Sequence, residues 1–178
     1  MREIEKYILG HKTAEDISIP TDIPFSLCEE GTCLYRGLAF DTVAELDTFL
    51  QSVSGDLQTD ATVTFPTVTS WSDSTIVASD FAYGSGKNYY DGSNDKSHAI
   101  NIIICTEIDS VKDVVLSYED PLDELSDEAQ KLMESDQEYI LYPGAYHCGL
   151  YKAGKVAAKH MGITDEIFIY DDEDDIAT

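Results

Sequence analysis

Only two arginines occur in the chain, Arg2 and Arg36, and Arg36 stands inside an apolar run, Thr32–Phe40 (TCLYRGLAF). A guanidinium keeps its charge when buried, and its planar fork matches a carboxylate or a pair of phosphate oxygens, so Arg36 calls for a facing anion. An internal carboxylate in a structural salt bridge would satisfy it, and so would an anionic ligand. Asp136 and Glu138 form a second group. On an extended strand they share one face, with roughly 6.5 to 7 Å between Cα atoms. Paired acids do acid/base work or stabilise a growing cation, as in glycosidases, whose transition state has oxocarbenium character. The plain alternative is that they are two of 35 Asp and Glu residues, solvated at a strand edge.

Other suggestive fragments fail. Gly84-Ser85-Gly86-Lys87 resembles the end of a phosphate-binding loop, but Phe81 occupies the position of the first glycine and Asn88 that of the magnesium-holding hydroxyl. Asp91, Ser93, Asp95 and Ser97 imitate a calcium loop whose sixth and twelfth positions are the wrong residues, Lys96 and Ile102. Cys28, Cys33, Cys105 and Cys148 lack the paired short spacings of a zinc site, and no metal is expected. Buried free thiols are expected rather than a Cys28–Cys33 bridge. His147 and Cys148 are neighbours, so a strand would point them to opposite faces and deny them a base–nucleophile pairing. His98, His147 and His160 read as ordinary surface or partly buried residues.

The elements that must position these groups follow from periodicity. Thr32–Phe40 reads as a buried strand. Val43, Leu46, Phe49, Leu50 and Val53 recur at helical spacing after Asp41, a suitable N-cap. Ala61–Ser72 is rich in β-branched residues and leads into a short helix, Ser74–Ala82. Tyr83–Ser97, with Gly84, Gly86 and Gly92, reads as a functional loop. His98–Ile108 (HAINIIICTEI) is a clear strand, and Val111–Ser117 reads as another. Pro121–Met133 has the pattern of a surface helix with proline in its first turn. Gln137–Tyr142 should be a strand stopped by Pro143-Gly144. Lys152–His160 reads as helical, Glu166–Tyr170 as a last strand, and Asp171–Asp175 as a solvated acidic tail.

With 178 residues, 43% of them hydrophobic, the chain has the material for one compact domain over 1–178, of α/β (α+β) class because strands outnumber helices without regular alternation. Lys and Arg number 11, and the formal net charge is −24. Such a surface repels nucleic acid and anionic membrane, so a macromolecular partner should be basic. No apolar run of membrane-spanning length and no signal-peptide pattern occurs, which predicts a soluble, cytoplasmic protein.

Taken in order, three stretches resemble the mono-ADP-ribosyltransferases of the bacterial toxin type, marked by an Arg, Ser-x-Ser, Glu signature. They are Leu34-Tyr35-Arg36-Gly37; Val68-Thr69-Ser70-Trp71-Ser72 with the following Ile76–Ala82; and Asp136-Gln137-Glu138-Tyr139-Ile140-Leu141-Tyr142-Pro143-Gly144. The resemblance implies two small, mostly antiparallel sheets forming an NAD cleft with helices outside. It also implies that Tyr35, Arg36, Gly37, Ser72 and Phe81 bind NAD, the cosubstrate. Arg36 would pair with the phosphates, Gly37 would let backbone groups approach the nicotinamide amide, and Phe81 would stack on its ring. Ser70 would hold Glu138, and Glu138 would bind the nicotinamide ribose 2′-hydroxyl and stabilise charge at the anomeric carbon. By the same resemblance Tyr83–Ser97 would close over NAD, and Leu116–Ser135 would recognise the acceptor. Two departures stand out. Asp136 replaces the usual Glu or Gln, which leaves the acceptor side chain open, and Trp71 replaces the middle Thr.

The implied activity is transfer of ADP-ribose from NAD to a target protein by a phage or bacterial effector. With water as acceptor the same site would be an NAD glycohydrolase. From a different class, the charge alone would suit a non-enzymatic acidic inhibitor that imitates nucleic acid.

Overall fold

A computed structural model describes residues 2–19, 23–82 and 100–169. The Tyr83–Ser97 loop, His98 and the acidic tail lie outside them. Among the described residues the chain is α+β, with five α-helices and eight strands: α1 (Arg2–Ile8), β1 (Cys33–Phe40), α2 (Val43–Gln51), β2 (Val53–Asp56), β3 (Asp60–Phe65), β4 (Thr69–Ser72), α3 (Thr75–Ala82), β5 (Ile100–Glu107), β6 (Val114–Ser117), α4 (Asp127–Ser135), β7 (Glu138–Leu141), β8 (Gly144–Ala153) and α5 (Lys155–Met161). The strands follow the order β2-β3-β8-β5-β1-β4-β7-β6 in a single sheet, where the resemblance implied two small ones. The pairs β2–β3, β4–β7, β5–β8 and β6–β7 are antiparallel. The chain groups into two compact units, each assembled from three separate segments, and β1 starts in one and continues in the other.

The first unit comprises 1–34, 64–74 and 107–145. Its core gathers Ile4, Val68, Val115, Leu116, Leu122, Leu125, Ala129, Met133 and Ile140, with Tyr7 and Ile8 packed against it. Ile4, Tyr7 and Ile8 fall at the i, i+3, i+4 spacing of one helix face, so α1 buries that face while Glu3 and Lys6 stay outside. The Ser126 hydroxyl caps α4 by accepting from Ala129 N–H, and Glu5 of α1 accepts the Ser126 N–H at 2.5 Å. Asp120 pins a neighbouring loop, its carboxylate accepting from the Ser26 hydroxyl and from the Leu27 and Ser117 amides.

The second unit comprises 35–63, 75–106 and 146–178. Ala78 and Ala82 of α3 pack on Ile103 of β5, flanked by Tyr35 and Tyr151, whose rings meet edge to face at 5.0 Å. Thr42 caps α2, and His160 of α5 bonds Asp47 of α2 at 2.7 Å. Gly162, left-handed at φ 70, ends α5, and the Ile163 N–H reaches back to the Ala158 carbonyl.

Several expectations change. The β1 run is only half-buried, with Leu34 alone fully inside. The N-cap of α2 is Thr42, one residue after Asp41, and Val53 begins β2 instead of ending the helix. The helix expected from Pro121 begins at Asp127; Leu122 and Leu125 reach the core from the preceding loop. Glu166–Phe168 is a 3-10 turn, and Ile169 makes one isolated parallel bridge to Ala153. The short α1 and the ten-residue β8 had no counterpart in the sequence reading. Cys28 and Cys33 are free thiols, as are Cys105 and Cys148; Cys28 and Cys148 are buried, Cys33 is exposed and Cys105 lies between. Burial pushes the Cys148 thiol up to about 12, leaving it protonated and inert at neutral pH. His147 is exposed beside Asp60 while Cys148 faces inward, the opposition that strand alternation requires.

Candidate functional site

In the first unit β4 and β7 pair so that Ser72 sits opposite Glu138 and Ser70 opposite Ile140. Directly opposed residues share a face, and so do residues two apart, which puts Ser70, Ser72 and Glu138 on one side of this ladder. Ser70 is diagonal to Glu138, within reach of a glutamate side chain, and its hydroxyl favours the ionised form of the Glu138 carboxyl. On the other side of Ser70, the Tyr7 hydroxyl lies 2.6 Å from its Oγ. The Ser72 hydroxyl donates to the Asp136 carbonyl at 2.8 Å and accepts from the Ser74 amide at 3.1 Å. Ser72, expected at the cosubstrate, therefore has its one proton engaged in tying the end of β4 to the end of α4. Trp71 points to the opposite face, 2% exposed, where its indole donates to Thr69 Oγ1 and its ring meets Phe65 edge-on.

The two acids are not alternate residues of a strand. Asp136 is the C-cap of α4 in helical conformation, Gln137 takes a left-handed φ of 45, and the strand starts only at Glu138. Proximity survives this correction, because the Asp136 charge is felt at Glu138. Burial raises the Glu138 carboxyl from its ordinary value to about 7, the Ser70 hydroxyl opposes that rise, and Asp136 adds to it. A carboxyl that titrates near neutrality can both hold a proton and accept one at physiological pH.

In the second unit Arg36 sits half-buried on β1 between Tyr35 and Gly37. Tyr35 packs toward α3, and a Cβ on Gly37 would meet the Ala78 carbonyl oxygen at 2.1 Å and the Ala82 amide nitrogen at 2.5 Å. Alternation then turns Arg36 to the face away from α3. The missing side chain of Gly37, expected to admit the nicotinamide amide, is thus used by the backbone of α3. Phe81, on the same helix, is 51% exposed.

Of the expected site residues, then, Ser70, Ser72, Asp136 and Glu138 come together in the first unit, and Tyr35, Arg36, Gly37 and Phe81 belong to the second. Sequence reasoning missed Tyr7. Its signal was the Ile4, Tyr7, Ile8 spacing, hidden in a stretch whose charges drew attention first. Among the described residues no cluster of three or more His, Cys, Asp or Glu could hold a metal, and no helix is long and apolar enough to cross a membrane.

Fold and site together define an α+β protein carrying a buried glutamate with a serine diagonal to it on a short antiparallel ladder. No protein-family model, curated protein or solved structure matches the chain, so its own geometry is what bears on function.

Proposed function

We propose that this chain is an NAD-dependent mono-ADP-ribosyltransferase with an ADP-ribosyltransferase-like NAD site, which cleaves the nicotinamide–ribose bond and moves ADP-ribose onto a protein. The observation that carries this reading is the β4–β7 register, which sets Ser70 diagonal to Glu138 on one face of the ladder. The Arg, Ser-x-Ser, Glu signature calls for that juxtaposition, and a solvated acid at a strand edge would not show the rise that burial gives the Glu138 carboxyl. Glu138 binds the 2′-hydroxyl of the nicotinamide ribose and stabilises the cation that grows at C1′ as nicotinamide leaves with the bonding pair. The acceptor nucleophile then bonds C1′, and its proton passes to a carboxylate, with Asp136 placed to orient it. The signature's arginine is Arg36, to which the resemblance gives the NAD phosphates. With a net charge of −24, the acceptor protein is basic.

A second reading keeps the site and makes water the acceptor, giving an NAD glycohydrolase. The Glu138 carboxyl at about 7 favours it, since such a group takes a proton from water at neutral pH. Incubation with adenine-labelled NAD and a basic host protein fraction separates the two. Label on protein supports transfer, and free ADP-ribose alone supports hydrolysis. Intact NAD together with no NAD affinity by calorimetry overturns both. Arg36→Gln should weaken NAD binding about tenfold to a hundredfold, the range for loss of a charge-assisted bond.

A further inference from the structure

We propose that Tyr7 is a positioning residue for Glu138: its phenol fixes the Ser70 hydroxyl on the carboxylate, which makes the N-terminal helix part of the reaction machinery. The step from positioning to reaction rests on the role given to Glu138 above.

Proton counting constrains the direction of the bonds. Ser70 Oγ carries one hydrogen, and an ionised carboxylate can only accept. While Glu138 is ionised, the diagonal Ser70 hydroxyl stabilises it by turning its proton toward the carboxylate. Either oxygen could donate in the 2.6 Å bond between Tyr7 and Ser70, and the proposed relay takes the phenol as donor. The result is a relay in which Tyr7 donates to Ser70 and Ser70 donates to Glu138, each bond polarising the next. The phenol reaches Ser70 from a helix that is itself tied down. Ile4 is fully buried beside Met133 and Ile140, Glu5 accepts the Ser126 amide, and Glu3 bridges Lys12 at 3.0 Å. A serine held only by its own rotamer preference would swing among three wells. Held from behind by Tyr7, it stays aimed at the carboxylate through the reaction.

A tyrosine that merely fills space would be replaced by phenylalanine without consequence for Glu138, which gives the test. In the full chain, the Glu138 side-chain carboxyl is followed by carbon NMR through a pH titration, its resonance assigned by its loss in Glu138→Gln. Tyr7→Phe keeps the ring and the packing of α1 but removes the relayed donor. The midpoint should rise by roughly half a pH unit. Monofluorotyrosine placed at position 7, a somewhat stronger donor of nearly the same size whose phenol keeps its proton through the titration, should lower it. In a Ser70→Ala background neither change should move the midpoint. Nicotinamide release from NAD is followed alongside, and Tyr7→Phe should lower kcat about tenfold with KM unchanged. Opposite shifts from the two substitutions support the relay even if the wild-type chain leaves NAD intact, in which case the reading of the reaction falls by itself. A midpoint that stays fixed in both variants, in a chain that does cleave NAD, overturns the relay and leaves the transferase reading standing.

Discussion

Around Glu138 the neighbouring side chains are held by hydrogen bonds, between Tyr7 and Ser70 and from Ser72 to the Asp136 carbonyl, with Ser70 diagonal to the acid. Around Arg36 the order comes from packing, with Gly37 pressed on the backbone of α3 and Tyr35 set among Ala78, Ala82, Ile103 and Tyr151. A hydrogen-bonded site is sensitive to protons and to single polar atoms, and its shape can survive while its chemistry is lost. A packed site is sensitive to volume and indifferent to pH. Substitutions that conserve shape should therefore silence the first region, and those that conserve polarity but add volume should damage the second.

The largest effect expected is that of Glu138→Gln, which keeps the shape and removes the charge. Nicotinamide release should fall by about two to three orders of magnitude, the range for loss of one preorganised electrostatic group, while the circular dichroism spectrum stays unchanged. Gly37→Ala comes next. Both nearest atoms are backbone, at 2.1 and 2.5 Å, so α3 itself must shift; chemical denaturation should show a loss of about 1–3 kcal/mol, and equal stability would remove packing as the organising force there.

A smaller effect is the dependence of stability on pH. The Glu138 carboxyl is raised in the folded chain to about 7 from an ordinary 4.5, so the folded state holds the proton more tightly. Its contribution to stability is fully present below the unfolded value and is lost as pH rises through the folded one. Urea midpoints should show the wild type losing stability relative to Glu138→Gln between about pH 4.5 and 7, with the gap constant above that window. Activity should run the opposite way, rising toward alkaline pH as the carboxylate forms. The smallest effect is that of Ser126→Ala, which removes the cap of α4 and should lower stability by about 1 kcal/mol by thermal melting, leaving the Glu138 titration in place.

Much of this arrangement was legible because strong periodicity survives context. The apolar run before Glu107 forms β5, the Leu46 face forms α2, and Ser70 lies on a strand that pairs with the one carrying Glu138. The failures have separate causes. α1 spans seven residues with Glu3, Glu5 and Lys6 among them, and it is helical because Ile4 and Tyr7 find a core, which no local pattern announces. β8 contains Gly144 and Gly149, and buried and partly exposed positions mix along it, so its strand pattern is diluted. Leu122 and Leu125 suggested an earlier helix start because loop residues that reach a core look periodic. Two acids two apart imitate alternation, so the pattern places Asp136 on the strand. Only the backbone at Gln137 distinguishes a strand from a helix end.

Gln137, left-handed after the helical Asp136, is the residue that converts the end of α4 into β7. With no slack between them, helix and strand are geared together. One residue added within α4 would turn its end by about 100°, and one added at the junction would invert the strand's phase, carrying the glutamate to the face that Trp71 occupies. Length variation in this stretch is therefore forbidden to any descendant that keeps its acid, whereas the exposed positions of α4 remain open to exchange.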